Sequence, residues 1–115
     1  MPHFVIHCSQ NVLQQASSKS ILQCVFKSAE ATNLFGKGDI KVRLTAFEEF
    51  IAGDGNDDFI HVFANIMQGR TTEQKKALSS AVCKNLKLLL PDDVALISIN
   101  IIDFEKATYC NKKMI

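Results

Sequence analysis

The stretch from Phe59 to Lys75, FIHVFANIMQGRTTEQK, contains the features that decide the fold. Apolar residues alternate with other residues in its first part, at Ile60, Val62, Ala64 and Ile66. This period of two is typical of a strand that packs one face on a core. Gly69 then breaks the strand, and Thr71 with Gln74 has the spacing of a capping box, which satisfies free backbone donors at a helix start. The stretch therefore predicts a strand that leads directly into a helix.

Downstream of this junction the pattern becomes helical and then returns to a strand. One apolar stripe runs along the predicted helix, at Ala77, Leu78, Ala81, Val82, Leu86 and Leu89. Pro91 marks the point by which that helix has ended. Residues Leu96 to Phe104 form a strong, nearly continuous apolar run, which predicts a strand buried on both faces. Residues 106–115 are polar and are assigned no element.

Upstream, the same order of elements occurs a first time. Residues 3–8, HFVIHC, indicate a strand, and an apolar pattern with helical spacing begins at Ser20. Gly36 and Gly38 break the chain. Residues 40–47 alternate again and indicate a second strand, whereas residues 11–20 are polar and ambiguous. The turn-rich run that starts at Gly53 separates this half from the next.

Each half is thus a strand, a helix and a strand, with pseudo-repeats at about residues 2–50 and 58–104 of one domain, 1–115. A helix of this length allows the usual crossover between parallel strands. We expect an α/β (α+β) fold: two β-α-β repeats that form a four-stranded sheet with two helices on one face. The other face would carry Phe63 and Met67, so we expect a partner subunit to cover it.

Composition argues against several classes of partner. The net charge is +1, the lysines are scattered, and there is no Trp and one Tyr, so nucleic acid is not an expected partner. No apolar run approaches the roughly 18 residues that a membrane span needs. The start, MPHFVIHCSQ, lacks the basic and apolar regions of a signal peptide, which predicts a cytoplasmic protein.

The sequence predicts neither a metal site nor a disulfide. The four cysteines form no CxxC motif or zinc-ligand pair, and we interpret them as reduced thiols; they are Cys8, Cys24, Cys83 and Cys110. The acidic turn of Asp54, Asp57 and Asp58 lacks the spacing and the final Glu of an EF-hand.

Three features coincide at the predicted strand ends. A proline follows Met1 and opens the first strand as Met1-Pro2-His3-Phe4, a strand ends in the run GRTTEQK at residues 69–75, and Lys41-Val42-Arg43 lies on a strand of the other half. This set resembles the tautomerase superfamily, and the GRTTEQK run is similar to the strand-to-helix junction of 4-oxalocrotonate tautomerase. The length, the PHF start, the neighbourhood of Ala52 to Gly55 and the placement of Arg70 look most like 5-carboxymethyl-2-hydroxymuconate isomerase. The resemblance covers nearly the whole chain and is weakest over residues 9–35 and at the end.

The resemblance implies a tautomerase-like fold, a homotrimer and an isomerase that needs no cofactor. It also implies that Pro2, freed by loss of Met1, is the general base and acid on an unsaturated 2-hydroxy or 2-keto carboxylic acid. An α-amino group titrates nearer to neutral pH than a lysine, and burial and nearby cations lower its pKa further. With Met1 attached, Pro2 is a tertiary amide and is not a base.

The remaining site residues would hold the anionic substrate. Arg70 just precedes a helix start, where backbone donors already favour an anion, and it is expected to clamp a carboxylate. Arg43 is expected to assist catalysis, and Lys41 to bind the second carboxylate or the developing dienolate. Phe4 is expected to form a dry wall, and His3 to lie near the pocket.

One position departs from the family pattern. In our alignment the isomerases have arginine where this chain has Lys41, and lysine does not form the planar bidentate fork. Either Arg43 then serves as the clamp or the substrate differs. The alternatives are therefore another tautomerase activity, such as a phenylpyruvate-type tautomerase, and a non-catalytic α/β ligand-binding module.

Overall fold

The structure, a computed structural model, describes residues 1–115 and has the predicted order of elements. The strands are β1 His3–Ser9, β2 Lys41–Phe47, β3 Phe59–Met67 and β4 Leu96–Phe104, and the helices are α1 Ser18–Ala31 and α2 Thr72–Leu89. Two short 3-10 helices occupy Gln10–Gln14 and Lys112–Met114. The order strand, helix, strand occurs twice, so the predicted β-α-β repeat is confirmed.

The four strands form one mixed sheet in the order β2-β1-β3-β4. Strands β1 and β2 are parallel, β3 and β4 are parallel, and β1 and β3 are antiparallel. The starts of β1 and β2 therefore lie at the same end of the sheet as the ends of β3 and β4. We call this end, where His3 pairs with both Lys41 and Asn65, the Pro2 end. The opposite end is the Ser9 end.

Both helices pack on one face of the sheet, as expected. Alternate residues of the two central strands are fully buried against them: Phe4, Ile6, Cys8, Ile60, Val62, Ala64 and Ile66. From α2 the core receives Leu78, Val82 and Leu86. The ends of the predicted stripe, Ala77 and Leu89, are exposed, because the helix turns them away from the sheet.

Side-chain caps fix where both helices begin. The capping box at the start of α2 is present: the Thr71 hydroxyl accepts from the Gln74 amide, and the Gln74 side chain accepts from the Thr71 amide. Helix α1 starts at Ser18, two residues before the predicted start at Ser20. The reason is that the Ser17 hydroxyl accepts a hydrogen bond from the Ser20 amide and so caps the helix earlier.

Strand β4 corrects the prediction that it is buried on both faces. It lies at the edge of the sheet, and only one set of alternate residues, Ile97, Ile99 and Ile101, packs against the core. On the other face Leu96 and Ile102 are 37% and 41% exposed. The face of β4 that no helix of this chain covers therefore carries the apolar Leu96 and Ile102, with polar residues between them.

The sheet face opposite the helices contains half-buried aromatic and polar side chains. Phe63 meets the rings of His7 and His61 edge-on, with centroids 5.1 and 4.5 Å away. The ring nitrogens of His61 lie 2.6 Å from the Ser98 hydroxyl and 2.5 Å from the Asn100 amide oxygen. No helix of the chain is both long enough and apolar enough to cross a membrane.

The chain end, which the sequence leaves without an element, folds back at the Pro2 end. The Tyr109 ring stacks on Phe104, the last residue of β4, with centroids 4.8 Å apart. The Asn111 side chain accepts from the Lys113 amide and caps the final short helix. The polar sequence therefore forms an ordered segment, because one aromatic stack and local caps hold it.

Candidate active site

Pro2 directly precedes β1 and its side chain is fully buried. Its carbonyl accepts a hydrogen bond from the Lys41 amide at 3.2 Å, which ties the start of the chain to β2. Met1 precedes it, and the amino group of Met1 lies 3.9 Å from the Asp39 carboxylate. Pro2 is therefore held next to the start of β2.

A cavity of about 510 Å³ opens beside this chain start. One wall is formed by residues around the starts of β1 and β2, namely Met1, His3, Gly38, Asp39 and Lys41. The other wall is the folded-back segment Tyr109–Lys113. A volume of this size suits a small organic ligand.

Arg70 lies at the same end, between the end of β3 and the start of α2. Gly69 before it has φ of 116°, a left-handed conformation that a side chain rarely adopts, and this allows the sharp turn out of the strand. The Arg70 guanidinium donates to the Leu34 carbonyl at 2.5 Å and lies 5.6 Å from the centre of the Phe35 ring. Arg70 is thus held by the loop that follows α1.

Phe4 takes a different place from the one expected. It is fully buried in the core and does not line the cavity. Its ring meets Phe35 edge-on at 6.1 Å, and Phe35 in turn stacks with Arg70. Phe4 therefore supports the loop that holds Arg70.

Of the three residues expected at or near the pocket from β1 and β2, two line the cavity. Lys41 and His3 do so, and the Lys41 ammonium donates to the backbone carbonyl of Asp39 at 2.9 Å. Arg43 lies two residues farther along β2 and outside the cavity wall, with its guanidinium 3.3 Å from the His3 ring. Arg43 therefore contacts the site through His3.

The charges at the Pro2 end favour neutral nitrogen bases. Burial lowers the pKa of the Met1 amino group, Lys41 and Arg70 lower it further, and only Asp39 opposes them. The pKa of His3 is also lowered, first by burial and then by Lys41 and Arg43. Because Lys41 and Arg70 both act on the chain start, this end combines a weakened base with a field that attracts anions.

Sequence reasoning missed Phe35, Asp39 and the segment Tyr109–Lys113. The adjacent Lys112 and Lys113 were a visible basic pair, but nothing local indicated that they return to the chain start. Their position depends on the stack of Tyr109 on Phe104. No group of three or more His, Cys, Asp and Glu side chains is placed to hold a metal ion.

Comparison with known proteins places this geometry in a family. A family model described as 5-carboxymethyl-2-hydroxymuconate isomerase matches residues 2–115. The chain belongs to this family. The 5-carboxymethyl-2-hydroxymuconate Delta-isomerase of Escherichia coli is 26% identical over 89 residues, which cover 76% of this chain and 71% of that protein.

Solved structures confirm the tautomerase fold. A 5-carboxymethyl-2-hydroxymuconate isomerase from Deinococcus radiodurans R1 superposes with a TM-score of 0.81 at 24% identity, covering 96% of this chain and 88% of that one. A fused 4-OT that forms a symmetric trimer has a TM-score of 0.80 at 20% identity, covering 98% and 95%. The family assignment and the fold both agree with the isomerase that the sequence resemblance implies.

Proposed function

We propose that this member of the 5-carboxymethyl-2-hydroxymuconate isomerase family is a cofactor-independent tautomerase whose base is the amine of Pro2. Its substrate would be an unsaturated 2-hydroxy or 2-keto acid such as 5-carboxymethyl-2-hydroxymuconate. The observation that carries the proposal is the position of the chain start, beside a cavity and within reach of Lys41 and Arg70. Removal of Met1, which lines the cavity, would turn the amide nitrogen of Pro2 into a secondary amine at the point where Met1 now joins the cavity wall.

The surroundings of this amine suit proton transfer. Burial and the two cations disfavour the ammonium form, so the amine would be neutral and able to accept a proton near neutral pH. It would take the proton of the 2-hydroxyl group, and the resulting ammonium would deliver a proton to carbon at the far end of the conjugated system. The substrate is isomerised, the amine returns to its starting state, and no redox partner is needed.

The cations would orient the acid and stabilise the dienolate. Arg70 presents a planar guanidinium next to the start of α2, where backbone N–H groups and the helix dipole also favour an anion. Lys41 approaches from the cavity wall and would hold another carboxylate as a point charge. We assign Arg43 an indirect part, because its guanidinium contacts His3 rather than the cavity.

We further propose a homotrimer in which the sheet face without helices packs between subunits. The exposure of Leu96 and Ile102 on that face supports a covering partner, since monomers rarely leave such apolar strands open. The symmetric trimer of the fused 4-OT, which shares the fold, supports the stoichiometry.

Two alternatives remain, each favoured by one observation. Lys41 in place of an arginine fork favours a phenylpyruvate-type tautomerase, and faster turnover of a monoacid than of a polycarboxylate would decide for it. Met1, which occupies the cavity wall here, favours a non-catalytic binding module if it is retained in the native protein.

The decisive experiment blocks Pro2 without changing the cavity residues. Protein with free Pro2 is compared with protein that keeps an extra glycine before Pro2, using ultraviolet absorbance to follow conversion of the enol to the ketone. We expect turnover to disappear in the blocked protein, because a tertiary amide does not accept a proton. Equal thermal unfolding of both proteins is the control, and full turnover by the blocked form would refute the mechanism.

A further inference from the structure

We propose that the segment Tyr109–Lys113 forms a second carboxylate subsite, in which Lys112 and Lys113 act with Lys41 to select substrates that carry several carboxylates. The identity of the reacting acid rests on the proposed function, whereas the subsite itself is argued from the walls of the cavity. The segment would thus determine specificity rather than carry out the proton transfer.

Several contacts hold the backbone of the segment in place on the cavity wall. Tyr109 stacks on Phe104 at 4.8 Å, and its amide donates to the Glu105 carbonyl at 3.2 Å. The Lys106 amide donates to the Gln68 side chain at 3.0 Å, which fixes the chain that leads into the segment beside the end of β3. Asn111 then caps the short helix that carries the two lysines. The backbone of the lysines is therefore held in place before any ligand arrives.

The cavity between the segment and the chain start is cationic. Lys41, Lys112 and Lys113 line it, and Asp39 is its only carboxylate. Asp39 faces the Met1 amino group, and neither Lys112 nor Lys113 forms an ion pair. Two ammonium groups without partners thus border a cavity of about 510 Å³, and an anion is the ligand that would neutralise them.

The chemistry of a polycarboxylate matches this distribution of charge. A 5-carboxymethyl-2-hydroxymuconate has three carboxylate groups, more than Arg70 and Lys41 alone would neutralise. Because Lys41 lacks the fork of an arginine, further point charges are the simplest way to hold the remaining carboxylates. A monoacid would leave the segment unused, so the subsite predicts a preference that depends on the number of carboxylates.

The kinetic test removes the two charges of the segment. In protein with free Pro2, Lys112→Gln with Lys113→Gln should raise KM for 5-carboxymethyl-2-hydroxymuconate roughly three- to thirtyfold, as expected for two partly exposed ion pairs. We expect kcat, and both constants for the enol of phenylpyruvate, to change little. The matched control is Lys19→Gln with Lys27→Gln, which removes the same charge from the exposed face of α1. An unchanged KM for the polycarboxylate, or an equal rise in the control, would overturn the proposal.

A binding test is independent of turnover and uses Cys110, the exposed thiol on the cavity wall. Cys8 is a poor competitor, since burial raises its pKa to about 11, and burial also raises the pKa of Cys24. In protein blocked at Pro2, we follow alkylation of Cys110 by iodoacetamide through peptide mass. The inert tricarboxylate tricarballylate should slow it several-fold, and butyrate should not.

The two tests separate the subsite from the proposed function. Protection of Cys110 that disappears with Lys112→Gln and Lys113→Gln supports the subsite even if Pro2 proves dispensable for turnover. No protection by tricarballylate, or a Cys110 that does not react in the free protein, contradicts an open cationic cavity. If Pro2 is not the base, only the enol assay would show it, and the protection of Cys110 would be unaffected.

Discussion

The two ends of the sheet are related by the repeat, yet they are built oppositely. At the Pro2 end the chain start and Lys41 line a cavity, and Arg70 lowers the pKa of the chain-start amine without lining that cavity. At the Ser9 end, the buried Ser9 hydroxyl donates to one oxygen of Asp58 at 3.0 Å and accepts from the Phe59 amide at 3.1 Å. Asn11 donates to the other Asp58 oxygen at 2.9 Å.

The difference shows how one repeated unit yields one site. Strand β3 begins at the Ser9 end as β1 begins at the Pro2 end, so the fold offers two similar places for a ligand. At the Ser9 end a carboxylate within the chain uses the available donors, and the cavity of about 320 Å³ at that end is lined by residues around the end of α2 and the start of β4 rather than by Ser9 or Asp58. At the Pro2 end Lys41 and Arg70 form no ion pair with a carboxylate of the chain, which suits a carboxylate from outside it.

The largest effect should follow from replacing Arg70 at the Pro2 end. We expect Arg70→Lys to lower kcat/KM roughly ten- to hundredfold, because the planar fork and its charge-assisted hydrogen bonds are lost. Steady-state kinetics on protein with free Pro2 measure this, and thermal unfolding checks that the loop around Leu34 remains folded. Unchanged kinetics would mean that Arg70 only serves the fold.

Replacing Ser9 should lower stability and leave turnover unchanged, the opposite of the result expected for Arg70→Lys. We expect Ser9→Ala to lower the free energy of unfolding by about 1–3 kcal/mol, because the partly buried Phe59 amide and one Asp58 oxygen lose their partner. Urea unfolding measures the loss, and kcat should stay unchanged. The matched variant Asn11→Ala removes an exposed bond to the same carboxylate and should cost less. A large loss of kcat in Ser9→Ala would contradict the assignment of catalysis to the Pro2 end and of stability to the Ser9 end.

The smallest effect concerns the pH dependence of turnover. Burial, Lys41 and Arg70 lower the pKa of the chain-start amine, and we expect the same influences on a free Pro2. Because the base must be neutral, kcat/KM should rise with pH through this pKa. Lys41→Gln removes one lowering influence, so the pKa rises and the acid limb moves to higher pH. The control Lys27→Gln on α1 should leave the acid limb of the pH profile unchanged. An equal shift in this control would contradict a local effect of Lys41.

Local signals made much of the fold and half of the site predictable. The capping box of Thr71 and Gln74 lies within four residues, so the junction that places Arg70 could be read directly from the sequence. Alternation along residues 40–47 predicts that Lys41 and Arg43 share one strand face, and both are exposed on β2. The sequence does not show which of the two lines the cavity, because the position of the cavity depends on the segment Tyr109–Lys113, which forms its other wall.

The features that could not be predicted depend on long-range contacts. The segment Tyr109–Lys113 reaches the chain start through the stack on Phe104, and Phe4 supports Arg70 only through Phe35. In β4 the apolar sequence was misread as burial on both faces. Hydrophobicity alone does not indicate whether the covering surface belongs to the same chain or to another subunit.

The most direct test of the central claim relates turnover to the chemical state of Pro2. Preparations with different proportions of retained Met1 are quantified by intact mass, and each is assayed for ketonisation of the enol. We predict that turnover rises in proportion to the fraction of chains with a free Pro2 amine and extrapolates to zero when that fraction is zero. Turnover independent of this fraction would contradict the account.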